Sequence, residues 1–214
     1  FFKPTTAYAL LRSLVGSEMC IRDRSAFAAC DGLDAYPEVM AEAEQWLRRR
    51  AGGLDSKHLS QAITQRYGKD KTFSVPILTM CAIAGRFGED RKAWESITDL
   101  PFELAALPPQ WVAAFRLPVV SYALPALIAI GQVKHHQAPS KNPLIRGLRN
   151  ACRSITLRRL SSIQPSSGGF LEATNLTSIV VMSLAGSGEA ANTVAQKGIQ
   201  FLKESFRADG SWPI

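Results

Sequence analysis

A chain of 214 residues, 46% of them hydrophobic, can bury a core of its own, which excludes disorder for most of its length. Twenty-five lysines and arginines against eighteen aspartates and glutamates give a net charge of +7, but the basic residues are dispersed, so nucleic acid is not implied as a partner. Cys20, Cys30, Cys81 and Cys152 stand far apart and form no C-x-x-C pair. Neither a disulfide framework nor a zinc knuckle is indicated, and a reducing, cytoplasmic setting fits them best.

Residues 1–24, FFKPTTAYALLRSLVGSEMCIRDR, lack the cationic start, long apolar run and small-residue cleavage site of a signal peptide. The second half of this leader, VGSEMCIRDR, resembles translated sequencing-adapter sequence, so residues 1–24 are expected to lie outside the fold. Setting aside Lys3, Arg12, Arg22 and Arg24 with Glu18 and Asp23 takes the net charge from +7 to +5. Residues 25–214 are then read as a single, partial domain.

From Pro37 onward, helical apolar periodicity alternates with glycine and proline punctuation, and no stretch sustains the alternation of a strand, so the class is all-α. The first helix is expected over Pro37 to Ala51, with Val39, Ala43, Trp46 and Leu47 on one face and Gly52-Gly53 ending it. Asp55 or Ser56 caps a second that reaches Tyr67-Gly68. Phe73 to Phe87 is apolar on every side, as a helix inside a packed double layer would be, and Gly88 stops it. Pro101, Pro108 and Pro109 make Leu100 to Trp111 a buried connection with one short turn. Leu117 to Val133 is 17 residues and contains Pro118 and Pro125, which favours a buried helix over a membrane span. A polar bridge from His135 to Asn142 follows, then helices over Pro143 to Leu160, Thr174 to Leu184 and Glu189 to Phe206.

A repeat stands out near the end of the chain. Leu160, Gly168 and Phe170 recur as Leu202, Gly210 and Trp212, each displaced by 42 positions. In each copy a helix enters a polar turn, Gln164 to Gly169 or Arg207 to Ser211, and an aromatic closes it. A single such helix cannot bury its apolar face, so successive copies must stack or close into a ring.

These residues resemble a known motif. Lys197, Gly198, Phe201 and Leu202, followed by Asp209, Gly210, Ser211 and Trp212, are similar to the QW motif of squalene-hopene and oxidosqualene cyclases. The earlier copy, with Gln164, Gly168 and Phe170, resembles a degenerate form. Phe206 stands where the motif has Gln and Phe170 where it has Trp, so neither copy has the motif's stacking of Gln on Trp intact. Pro101-Phe102-Glu103-Leu104, Leu107 to Trp111 and Ser121-Tyr122 resemble further signposts of the same family. The resemblance covers most of residues 37–214 and implies an α/α barrel (toroid) of helical hairpins, here incomplete, which with a second barrel would enclose an apolar cavity for a C30 polyene.

The resemblance also implies what the chain lacks. Such cyclases protonate an alkene with the middle Asp of an Asp-x-Asp-Asp motif, and no such motif occurs here; Asp31 and Asp34 read as a solvated turn. The acid is expected after Ile214, so no catalytic residue is assigned and the chain by itself is expected to be inactive. Tyr122, Phe170, Ala173 and Thr174 are the substrate-cavity candidates by position, although an ordinary core role is open for Tyr122 and Phe170. Thr174 fits an N-cap for a helix beginning at Asn175 better than a group that orients water. The resemblance requires no cofactor or metal, and it places the parent protein at the cytoplasmic face of a bacterial membrane as a monotopic protein, with homodimerisation open.

The remaining signals are weak. His135-His136 reads as a surface pair at a helix end rather than a metal site. Asn175-Leu176-Thr177 matches a glycosylation acceptor without a secretory signal to go with it. No phosphate loop, G-x-S-x-G or H-E-x-x-H is present. A non-catalytic helical-repeat scaffold that binds another protein fits the same period, and a prenyltransferase-type barrel would need zinc ligands that the sequence does not assemble.

Overall fold

A computed structural model describes residues 37–67, 71–85, 87–88, 91–107 and 124–207, with seven α-helices and no strand among them. The leader, Tyr122, Gly210 and Trp212 lie outside the described residues. Two compact units divide the chain, one of Phe1–Ile97 with Ser205–Ile214 and one of Thr98–Glu204.

The first unit holds α1 (Pro37–Ala51), α2 (Ser56–Tyr67), α3 (Lys71–Ile83) and a 3-10 turn at Arg91–Trp94. Helix α1 begins on proline, whose missing N–H would have no partner there in any case. It ends on Arg48, Arg49 and Arg50, which suit the negative end of the helix dipole, and on Gly52 at φ 79°. Leu47 is buried in this unit, as are Leu59 and Ile63 of α2, and the Arg50 guanidinium sits 5.9 Å from the centre of the Trp46 ring. Asp55 caps α2: its Oδ1 accepts from the backbone N–H groups of Lys57 and His58 at 3.1 and 3.2 Å.

Helix α3 buries Val75, Ile77, Leu78, Cys81 and Ala82, as its largely apolar sequence requires, and takes Ser74 and Thr79 inside with them. It carries Pro76 internally and ends at Ile83, earlier than Phe87. The chain leaves it through Gly85 and Gly88, both in the left-handed region, where glycine bears no steric cost.

The second unit holds a 3-10 turn at Phe102–Ala106, α4 (Leu124–Gln137), α5 (Pro143–Ile163), a 3-10 turn at Phe170–Glu172, α6 (Thr174–Gly186) and α7 (Thr193–Glu204). Helix α6 packs on both α4 and α7, while α5 packs on α4 and on the Phe102–Ala106 turn. Ala105, Ile128, Ala129, Leu160, Phe170, Val180, Leu184, Val194 and Ala195 form one apolar core. In α7 the buried residues Val194, Ala195, Gly198, Phe201 and Leu202 fall at the spacing of one helical stripe. Gly131 lets α4 approach closely, since a Cβ there would stand 2.7 Å from Phe102 Cβ.

Several boundaries differ from those expected. Helix α4 runs to Gln137 and takes in His135, because Gln132, Val133, Lys134 and His135 all find cover inside the unit. Helix α5 continues to Ile163. Helix α7 starts at Thr193, where Asn192 Oδ1 accepts from the Val194 N–H at 3.0 Å and so ends the polar approach from Glu189. Thr174 is not the cap of α6 but its first residue; Ala173 takes the cap position, without a side-chain bond.

The Asp55 cap makes stability depend on pH. A hydrogen bond from the His58 side chain, then one from its backbone, holds the Asp55 carboxyl below its ordinary value of 3.8. A depressed folded value means the contribution is present above the unfolded value and lost as pH falls through the folded one. Amide exchange at Lys57 and His58 should therefore accelerate in that acid window, whereas Asp55→Ala should give the faster exchange at neutral pH as well.

Candidate functional site

Two constellations in the second unit carry the polar chemistry. The first is the turn between α5 and α6. Gln164 caps the end of α5, and its Nε2 donates to the carbonyls of Gly168 at 2.9 Å and Val194 at 3.0 Å, joining its own turn to the first turn of α7. Gly168 lies at φ 88°, and a Cβ added to it would collide with the Lys197 carbonyl. A Cβ on Gly169 would enter the Phe201 ring, and one on Gly198 would stand 2.6 Å from Val181 Cγ2. The turn thus docks by main-chain contact, and only glycine permits it.

Phe170 leaves this turn into the core and is 1% exposed. Its N–H donates to Thr177 Oγ1 at 2.9 Å, and that hydroxyl donates in turn to the Ala173 carbonyl at 2.9 Å. Leu171 and Glu172 then adopt φ values of 54° and 52°, which cost a non-glycine residue about 1–3 kcal/mol each. Ser167 Oγ donates to Glu172 Oε1 at 2.6 Å and helps to hold that conformation. Of the cavity candidates, Phe170 and Thr174 are therefore buried, Ala173 is half-buried between them, and Tyr122 lies outside the described residues. In the glycosylation match Asn175 is half-buried at the start of α6, while Thr177 is fully buried with its hydroxyl engaged.

The second constellation was not anticipated. Arg149 of α5 is buried, with Nε donating to Glu103 Oε2 at 3.1 Å, a terminal nitrogen 3.9 Å from Asp99 and its guanidinium 5.8 Å from the Phe102 ring centre. The Phe102 ring meets the His135 ring at 5.9 Å, and His135 Nε2 is hydrogen-bonded to Asn150 Oδ1 at 2.8 Å. One turn back along α4, Gln132 Nε2 donates to Thr156 Oγ1 at 2.9 Å and to the Arg153 carbonyl at 3.2 Å. Arg153 itself donates to the Ser187 carbonyl and to Glu189.

His135 is thus a buried residue and His136 the exposed one, which corrects their reading as a surface pair. Gln132 Oε1, His135 Nδ1 and Ser183 Oγ are buried without a hydrogen-bond partner among the described residues, a cost of the kind that polar interiors carry. Burial, then the Glu103 charge, pushes the Cys152 thiol up, which disfavours a reactive thiolate there. No cluster of three or more His, Cys, Asp or Glu residues suited to a metal ion occurs among the described residues.

Sequence reasoning singled out Glu103 only as part of a signpost and missed Arg149. The available signal was an arginine at the helical spacing of Thr156 and Leu160, on the inward stripe of α5. Neither a family model, a curated protein nor a solved structure matches this chain.

Two stability outcomes follow from these geometries. Arg149→Ala should cost about 3–5 kcal/mol in urea unfolding because it strands Glu103, while Arg149→Met with Glu103→Leu should recover most of that loss. Gln164→Ala should cost about 1–3 kcal/mol. Gly168→Ala should cost at least as much, and the double variant should lose less than the two single losses together, because both act on one joint.

Proposed function

We propose that the chain is the larger part of the first helical barrel of a squalene-hopene-type triterpene cyclase. One observation carries the reading: the residues that resemble the QW motif in the two copies are one another's partners. Gln164, Gly168 and Gly169 of the first copy meet Val194, Lys197 and Phe201 in the helix of the second. Such a joint, repeated, fits a barrel of helical hairpins whose corners must not open while a cavity holds reactive carbocations.

In this reading an acid outside the present sequence protonates one terminal alkene of squalene or a close relative. Each carbocation is captured by the next double bond, and the last is quenched by loss of a proton or by water, so no electrons are exchanged. Aromatic faces stabilise the cations and a dry wall excludes early water. This chain contributes wall and corner, with Tyr122, Phe170, Ala173 and Thr174 as the positions to examine. The parent protein attaches to one face of a bacterial membrane, because a C30 hydrocarbon reaches it from the bilayer. No described helix is long and apolar enough to cross a membrane.

The genomic region that encodes the chain provides the test. Its reading frame should continue past the codon for Ile214 into an Asp-x-Asp-Asp motif, and the complete protein should convert squalene to a cyclised product of equal mass or one water heavier. A frame without that motif, or a complete protein that leaves squalene unchanged in chromatographic retention and mass, overturns the proposal and favours a binding scaffold.

A further inference from the structure

We infer that one water molecule is built into the joint of α4, α5 and α6, bound by Gln132, His135 and Ser183. Gln132 Oε1, His135 Nδ1 and Ser183 Oγ belong to residues only 3%, 6% and 1% exposed, and none has a hydrogen-bond partner among the described residues. Ordered water ordinarily completes such groups in folded interiors. Ser183 points to it most directly. The buried hydroxyls of Thr79, Thr156, Thr177 and Ser187 all donate to a carbonyl three or four residues back in the chain, the usual resort of a hydroxyl on a helix, whereas that of Ser183 does not. Its oxygen is turned to something else.

Hydrogen bonds set the three residues at one level. Gln132 and His135 are three residues apart on α4, and both reach α5, the first at Thr156 and the Arg153 carbonyl and the second at Asn150. Gln137, at the end of α4, donates to the Gly186 carbonyl of α6 at 2.8 Å, and Arg153 donates to the Ser187 carbonyl at 3.1 Å. Ser183 lies one turn before both acceptors, on the inward stripe with Val180, Leu184 and Ser187, as Gln132 and His135 precede Gln137 on α4.

Donor and acceptor capacity then selects the occupant. The Asn150 amide oxygen only accepts, so His135 Nε2 carries the ring proton and Nδ1 presents a lone pair. Gln132 Oε1 likewise accepts, and the Ser183 hydroxyl has a proton to give. Two acceptors and one donor are the complement of a single water molecule, which gives two protons and receives a third. An ion fits less well. Glu103 and Glu189 are taken by Arg149 and Arg153, so a cation among these atoms would be buried without a countercharge, and an anion would face two lone pairs. The water fastens α6 to α4 at the place where α4 is already fastened to α5. The site is independent of the proposed function and serves a barrel wall or a scaffold alike.

Oxygen-17 relaxation of the solvent around the full chain tests it, since that signal reports water oxygen alone and a molecule held inside the protein adds a slow component. The parent chain should show the component. Ser183→Ala, which deletes the one donor, should reduce it by the share of one water. The same variant should move the His135 Nδ1 resonance in nitrogen-15 spectra, although the two residues sit on different helices without a direct bond. Ser178→Ala, whose hydroxyl is spent on the Thr174 carbonyl, should do neither. Thermal melting supplies a sign: Ser183→Ala should melt below the parent chain, whereas deletion of a dry, unpaired hydroxyl in favour of a better helix former would raise the midpoint. A parent chain without the slow component overturns the inference whatever the variants do. So does a Ser183→Ala chain that keeps the component whole, leaves His135 unmoved or melts higher.

Discussion

The second unit depends on one close approach: the main chain at Gly168 and Gly169 lying against α7 at Lys197 and Phe201. No side chain can occupy that space, so the joint is specified by two missing Cβ atoms and secured by the Gln164 amide, which bonds its own turn and the Val194 carbonyl together. With the turn fixed, Phe170 is delivered into the core shared by Ile128, Leu160, Val180, Leu184 and Val194. The left-handed residues that follow are strained, and burial of an aromatic ring with its N–H satisfied by Thr177 is what offsets the strain.

A polar layer complements this apolar centre. Arg149, held by Glu103 and laid over Phe102, ties α5 to the turn before α4, while Gln132 with Thr156 and His135 with Asn150 tie α4 to α5. Buried pairs of this kind add little net stability relative to apolar replacements, but they penalise wrong alignments strongly because a stranded charge is costly. The polar layer therefore gives α4 and α5 a definite register.

Much of the helical order was legible in the sequence. Helix α1 falls on its expected bounds because proline and a glycine pair punctuate it, and α2 likewise because Asp55 caps it. Boundaries went astray where burial overrode local polarity. His135 looks like the start of a loop by composition, yet ring contact with Phe102 and a bond to Asn150 keep it inside α4. Phe170 and Gly168 were legible through the repeat, but the role of Gln164 as a link to α7 was not, since the linked group is a backbone carbonyl that no residue type signals. Arg149 was missed for a related reason. Positive residues on helices ordinarily read as solvated, and only the tertiary fold brings Glu103 to it.

The internal proline of α3 has a consequence of its own. Pro76 supplies no N–H to the carbonyl four residues earlier, and one turn on Thr79 Oγ1 adds a side-chain bond to the Val75 carbonyl at 2.8 Å without restoring the lost one. The helix therefore has a built-in weak hinge near its start while its later turns are gripped by Leu78, Cys81 and Ala82. Under mechanical load or partial denaturation such a rod gives way in its first turn while its buried later turns stay seated.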